Sequence, residues 1–405
     1  MTIEIAAGQQ RDTKRWGTVA VIVGCGVAAA LHVGKVPIAA SMLQATFGID
    51  LAAIGTVAGI FAVLGLFGSI PAGFVIAATG ERRVLLCGLA AIALGAGWGA
   101  LAPSFWMLLA SRLLEGLGVL LVAVAGPALL ERLVEPGARA MTMAVWSCYM
   151  PVGIAMAMLA GPYFESWRAI WWATAAIGIL LFALVCAIVP DAAPQSGPAR
   201  TGLFGKSAAL ARQPTPALLT ACFALYSMMF FAVFSFLPIL LTERLATSGR
   251  GAGLLSAVAA AVNIAGNLAA GRLLARGVGR GKLIALASLV MGASALGIFL
   301  PALGGWGAFL LCLVFSATGG LIPATLLSAA PAAARSAAMV PVMMGLLMTG
   351  SNLGQVTGPI AVGTLVSAWG WSAAGIVVVA AAILTGLAAW ALAVGDRDGS
   401  RPLTG

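Results

Sequence analysis

Four side chains could do chemistry inside this otherwise apolar chain: His32, Lys35, Arg112 and Glu115. His32 and Lys35 are three residues apart, as are Arg112 and Glu115, so each pair shares a helix face. A charge inside a membrane-spanning helix costs roughly 2.5–3.5 kcal/mol on insertion scales, and such residues face a cavity or a partner. At 1.5 Å per residue, Lys35 lies about 27 Å along a helix entered near residue 17. Arg112 lies about 10 Å into a helix entered from the opposite side near residue 105, with Glu115 about one turn deeper. The depths overlap, so the four side chains can meet. Arg112 and Glu115 can neutralise each other, which leaves Lys35 as an excess positive charge that attracts an anion and repels a cation. Glu115 or His32 beside it can exchange a proton. The same residues also fit a plainer reading: Lys35 snorkelling to the interface, Arg112 and Glu115 as a structural pair, and His32 as a packing residue.

The elements that position these residues follow from composition. The chain has 405 residues, 61% hydrophobic and 8% charged. Soluble domains carry about 25% charged residues, so lipid must be the main solvent here. The apolar runs are long and do not alternate, which excludes a β-barrel. Twelve apolar cores are expected, at 17–39, 52–77, 84–103, 105–128, 140–163, 168–189, 215–241, 252–275, 283–302, 305–329, 337–365 and 372–394. The polar stretch 190–213 divides them six and six. The expected organisation is therefore an N-terminal six-helix bundle (1–189), a cytoplasmic linker (190–213) and a C-terminal six-helix bundle (214–405). The first span follows a polar-rich segment without a small-residue cleavage site and is expected to be a retained helix.

The halves repeat. Gly73 and Gly271 open similar helix-end segments 198 residues apart, and Gly161-Pro162 and Gly358-Pro359 lie 197 apart. Internal repeats in an apolar chain place a substrate site between the halves. With the N-terminus inside, 17 of the 22 Lys and Arg residues fall on the cytoplasmic side. Three (Arg168, Arg244 and Arg250) fall outside, and Lys35 and Arg112 lie within spans. This asymmetry puts both termini in the cytoplasm. It also accounts for the net charge of +10 without a nucleic-acid partner. The six cysteines sit in apolar stretches without metal-ligand spacing, and no phosphate-cradling Gly-x-x-x-x-Gly-Lys-Ser/Thr motif occurs. The lone histidine excludes a multi-histidine metal site. No cofactor or enzyme chemistry is expected.

Twelve spans, a central linker and repeated helix-end segments resemble the major facilitator superfamily over essentially the whole chain. The family's loop between helices 2 and 3 reads Gly-x-Leu-x-Asp-Arg-x-Gly-Arg-Arg. Gly73, Gly80 and Arg82 match it, Arg83 lies just beyond, and Ala77 and Ala78 replace the Asp-Arg pair. In the second half Gly271, Leu273, Arg276 and Arg280 match, with Ala275 at the acidic position. The resemblance assigns conformational gating to Gly73, Gly80, Arg82, Arg83, Gly271, Arg276 and Arg280. The missing acid departs from the family's charge relay, and Glu81 is a candidate substitute. Arg112-Leu-Leu-Glu115-Gly116-Leu117-Gly118 is similar to an element of proton-coupled members. Gly153, Gly161 and Pro162 partly resemble the Gly-Pro element of antiporters. The segments Leu31–Pro37 and Ser166–Trp172 are similar to bacterial members grouped with cyanate and nitroimidazole transporters.

The resemblance implies an all-α membrane protein of two six-helix pseudo-repeats around a central cavity, a monomer in the bacterial inner membrane. The expected function is secondary active transport of a small, anionic organic or inorganic solute by alternating access, coupled to protons. The alternative is proton-driven export of amphipathic compounds, for which Met228, Met229, Met343 and Met344 would supply adaptable walls. The candidate substrate-binding residues are His32, Lys35, Arg112 and Tyr149 in the first half, and Tyr226, Asn263, Asn352 and Gln355 in the second. Glu115 and His32 are the candidates for proton coupling. Asn352 and Gln355 fit interhelical glue equally well.

Overall fold

In hydrocarbon, every backbone N–H and C=O must find its partner within the chain, and a helix achieves this segment by segment. The computed structural model describes residues 2–135, 142–143, 145–191, 209–300, 303–334 and 339–398; among them there are helices and no strand. The first half contains α1 (Thr2–Phe47), α2 (Leu51–Gly59), α3 (Val63–Thr79), α4 (Glu81–Ala100), α5 (Phe105–Leu133), α6 (Tyr149–Ala160) and α7 (Trp167–Ile188). The second contains α8 (Pro214–Phe234), α9 (Leu237–Leu245), α10 (Gly249–Ala275), α11 (Arg280–Phe299), α12 (Gly304–Gly319), α13 (Leu321–Ala333), α14 (Val340–Trp369) and α15 (Trp371–Asp398). A 3₁₀ turn, Ile60–Ala62, joins α2 to α3. Most of the expected linker, residues 192–208, lies outside the described residues.

Eleven stretches among the described residues are long and apolar enough to cross a membrane. The sequence led us to expect twelve. The expected core at 337–365 corresponds to α14, a 30-residue helix that is not among the eleven. Thr349, Ser351, Asn352, Gln355 and Thr357 dilute its apolar character. Its neighbours explain why this is tolerated: α14 packs against α8 on one side and α2 and α3 on the other, so protein replaces lipid along much of its length.

Four helix starts on the side away from the termini carry side-chain caps, whereas α12 follows Leu303 without one. Asp50 accepts from Ala53 N at 2.8 Å, Ser104 from Met107 N at 3.3 Å, Ser166 from Arg168 N at 3.2 Å and Ser248 from Gly251 N at 3.2 Å. Each satisfies an otherwise orphaned donor of the first turn. On the terminus side, α4 and α11 instead follow Gly80 and Gly279, with no side-chain cap.

The halves meet along two seams, α2/α3 against α14 and α6 against α10. Both seams use the same device. A methyl group on Gly55 would run into the Pro359 carbonyl, and one on Gly253 would run into the Pro162 ring. The two glycines are 198 residues apart and the two prolines 197, the spacing of the sequence repeat. The first seam continues through Ala52 N donating to Ser367 Oγ at 3.2 Å and Asn352 Nδ2 donating to Ser69 Oγ at 3.2 Å.

Candidate functional site

Helix α1 brings His32 and Lys35 to one face, and α5 brings Arg112 and Glu115 to meet them. His32 is 1% exposed and the other three are 0% exposed. Glu115 is the hub. Its Oε1 accepts from Lys35 Nζ at 2.9 Å, and its Oε2 lies 3.0 Å from His32 Nδ1 and accepts from Arg112 Nη1. Lys35 Nζ is also 3.1 Å from His32 Nδ1, and it reaches Thr174 Oγ1 on α7 at 3.3 Å. Lys35 Nζ sits over the Trp171 ring, 4.2 Å from the centroid. When Nζ is protonated, such a contact adds roughly 2 kcal/mol in a desolvated site.

Local sequence explains how the helices come close enough. Gly95 on α4 lets the Glu115 backbone and side chain approach; a Cβ there would lie 2.8 Å from Glu115 N. Gly116 lets α5 press on the Phe61 carbonyl of the 3₁₀ turn. Beside that contact, Arg112 Nε donates to the Val57 carbonyl at 3.4 Å, and its guanidinium carbon lies 5.4 Å from the Phe61 ring centroid. Helix α2 therefore stands between the cluster and α14: Val57 and Phe61 face Arg112, while Gly55 and Gly59 face α14.

The structure differs from the sequence expectation over Lys35. We expected Arg112 and Glu115 to pair off and leave Lys35 free, but one carboxylate takes both cations. Full burial of Lys35 also removes the snorkelling alternative. The formal charges sum to +1 with His32 neutral. Among the described residues, Arg112 Nη2 and Trp171 Nε1 are buried donors without a partner. The pair donated by α7, Thr174 and Trp171, was missed by sequence reasoning. Trp167, Trp171 and Trp172 read from the sequence as an interfacial belt, and no charge marks Thr174.

The other candidates lie elsewhere. Tyr149 packs its ring on Trp146, 4.8 Å between centroids, and against Gly26, six residues before His32. In the second half Asn263 Nδ2 donates to the Ser316 carbonyl at 3.0 Å, and Asn267 Nδ2 donates to Asn263 Oδ1 at 2.9 Å. Tyr226 is buried. Gln355 Nε2 donates to Ser351 Oγ at 3.1 Å, and Ser351 Oγ is 3.0 Å from Ser227 Oγ. Asn352 belongs to the seam with Ser69. These form neutral networks of α8, α10, α12 and α14, apart from the charged cluster.

Among the gating candidates, Gly73 lies within α3, and Gly80 turns the chain into α4 at φ 91°, a conformation that suits glycine. Arg82 Nη2 donates to the Cys186 carbonyl near the end of α7 at 3.0 Å. Glu81 forms a salt bridge to Arg132 at the end of α5, 2.8 Å apart. Arg83, Gly271, Arg276 and Arg280 are exposed.

Residues 21–340 match the description Major Facilitator Superfamily. The inner membrane transport protein YajR of Escherichia coli K12 is 28% identical over 191 residues, 46% of this chain and 40% of that protein. The 3-(3-hydroxy-phenyl)propionate transporter of the same organism is 26% identical over 230 residues, 55% and 56% of the two chains. The chain thus spans about half the length of these curated relatives. Among solved structures, a bacterial homolog to the human lysosomal transporter Spinster, inward-facing and occupied, superimposes with a TM-score of 0.77 at 17% identity over 94% of this chain and 96% of that one. Its inward-facing, unoccupied form gives 0.73 at 17% identity over 93% and 96%. At that identity the likeness is one of fold. With helices of this length and apolarity and a family match over most of its residues, the chain belongs to the Major Facilitator Superfamily.

Proposed function

We propose that this protein is a secondary active transporter of a small organic or inorganic anion, coupled to protons. It works by alternating access between the halves, as a monomer of the bacterial inner membrane with both termini in the cytoplasm. The observation that carries the reading is the charge balance of the buried cluster. With Lys35 as ammonium, two cations and one carboxylate, all 0% exposed, sum to one uncompensated positive charge, and Arg112 Nη2 has no acceptor among the described residues. An uncompensated buried charge is strongly destabilising, and a monoanion reaching Arg112 would remove the imbalance. Movement of α2 with the α14 seam would give such an anion access, because α2 is the wall between them. The relative named for 3-(3-hydroxy-phenyl)propionate is named for a carboxylate, which supports the same sign.

The test is uptake into proteoliposomes by wild type and Lys35→Ala, using labelled 3-phenylpropionate, benzoate and nitrate beside the lipophilic cation tetraphenylphosphonium. We expect at least one anion to accumulate under an inward proton gradient with wild type and not with Lys35→Ala. Transport of the cation alone, unchanged in the variant, would move the protein to the exporter reading.

A further inference from the structure

The contacts of Lys35 constrain where a mobile proton can sit. An ammonium has three N–H donors, and Nζ has three polar partners: Glu115 Oε1, Thr174 Oγ1 and His32 Nδ1. If Lys35 donates to all three, Nδ1 must carry a lone pair. That lone pair then faces the Glu115 carboxylate at 3.0 Å, and two acceptors oppose each other in a dry site. If Lys35 is a neutral amine, the conflict disappears. Its two N–H groups go to Glu115 Oε1 and Thr174 Oγ1. His32 Nδ1–H points between Glu115 Oε2 at 3.0 Å and the Nζ lone pair at 3.1 Å. The charge sum agrees: Arg112 and Glu115 then cancel, and the buried cluster is neutral.

We propose that Lys35, rather than Glu115 or His32, carries the coupled proton, one per monoanion, so that transport is electroneutral. This rests on the anion-transport reading for its function, though the protonation state stands on the geometry alone. In the empty, closed protein Lys35 is an amine. When the site opens, Nζ takes a proton from water and becomes ammonium as a monoanion binds at Arg112. On the other side the anion leaves and the proton returns to water. Glu115, held by three donors, stays a carboxylate throughout, and His32 is a positioning residue whose Nδ1 turns between Glu115 and Lys35. The titratable or charged groups hydrogen-bonded to Lys35 or paired with its carboxylate are His32 on α1 and Arg112 and Glu115 on α5. Helix α7 contributes Thr174 and Trp171, which do not titrate, and α4 presents Gly95 to Glu115.

The chain has four lysines, so ¹⁵Nζ-labelled lysine gives few signals: Lys14, Lys35, Lys206 and Lys282. The experiment is nitrogen NMR of the detergent-solubilised full chain at pH 8 without added anion, with Lys35→Gln assigning the signal. We expect three ammonium resonances that persist in the variant and one neutral-amine resonance that vanishes. Four ammonium resonances would overturn the proposal, whatever is transported. Lys35→Arg, permanently charged, supplies the second readout: exchange of 3-phenylpropionate at equal concentrations survives within about threefold, while proton-driven accumulation is lost. Retained accumulation in Lys35→Arg would overturn it as well. Should no anion be transported by wild type, the transport reading fails while the NMR result still decides the state of Lys35.

Discussion

The two halves of this protein fill comparable cores with different chemistry. In the first, helices α1, α5 and α7 enclose an ionic cluster around Glu115. In the second, α8, α10, α12 and α14 enclose amides and hydroxyls: Asn263, Asn267, Ser227, Ser351 and Gln355. The close helix contacts recur. Gly116 sits on the Phe61 carbonyl in one half, and Gly320 sits on the Asn263 carbonyl in the other. Backbone architecture is thus shared while polarity is divided. A neutral network binds helices whatever the charge around it, and an ionic cluster holds only while its charges balance. That makes the first half the one able to respond to an anion or a proton.

The difference is largest at Glu115. Glu115→Ala leaves Lys35 and Arg112 buried without a carboxylate, and breaking such a pair costs about 3–5 kcal/mol. Asn263→Ala removes one donor and one acceptor from a neutral network, each bond worth about 0.6 kcal/mol on average within membranes. Thermal unfolding in detergent should therefore show a severe loss for the first and a small one for the second. Equal losses would dissolve the contrast between the halves. Adding Arg112→Met to Glu115→Ala should recover part of the loss, because one orphaned cation is removed.

Much of this contrast was legible in the sequence. Helix depth arithmetic placed His32, Lys35, Arg112 and Glu115 within reach, because charges in apolar spans are rare and their spacing fixes their faces. What stayed hidden was anything that depends on rotation between helices. Thr174 and Trp171 meet Lys35 only because α7 presents that face, and hydropathy has no register for that. The 3₁₀ turn at Ile60–Ala62 also has no local signal, since Ile-Phe-Ala is an ordinary helical tripeptide; the Gly116 contact marks it only in three dimensions. Helix α14 was expected as a span, and its polar residues are tolerated because it packs against α8, α2 and α3 along much of its length. The seam prolines Pro162 and Pro359 were visible as a repeat spacing but not as contacts, and the seam glycines Gly55 and Gly253 emerged only from the packing.

The seams provide a symmetric pair of perturbations with intermediate effects. Gly55→Val and Gly253→Val should each wedge one seam, since the opposing carbonyl and ring leave no room even for a methyl group. Cysteines introduced at Ala52 and Ser367, where backbone N–H and hydroxyl are 3.2 Å apart, report on the first seam. In a background with its native cysteines replaced, disulfide formation between them should slow several-fold in Gly55→Val. The rate in Gly253→Val should fall by a similar factor if the two seams open together. An effect confined to Gly55→Val would mean that each seam moves alone.

The smallest expected effect lies at the helix ends, where the halves also differ. In the first half Glu81 pairs with Arg132, side chains 16% and 21% exposed, which puts an acid back beside a loop that lacks the family's aspartate. In the second half Ala275 occupies the acidic position, and Arg276 and Arg280 are exposed. A partly exposed pair of this kind contributes about 0.2–1 kcal/mol and weakens with salt. A double-mutant cycle of Glu81→Gln and Arg132→Gln, read by thermal unfolding at low and high salt, should give a coupling in that range that shrinks as salt rises. Arg276→Gln in the same assay should shift stability less, because no carboxylate among the described residues pairs with Arg276. If the Glu81–Arg132 coupling is absent at low salt, the first-half loop is held by Arg82 on the Cys186 carbonyl rather than by a restored ion pair. Arg82→Gln would then become the substitution that separates the two loops.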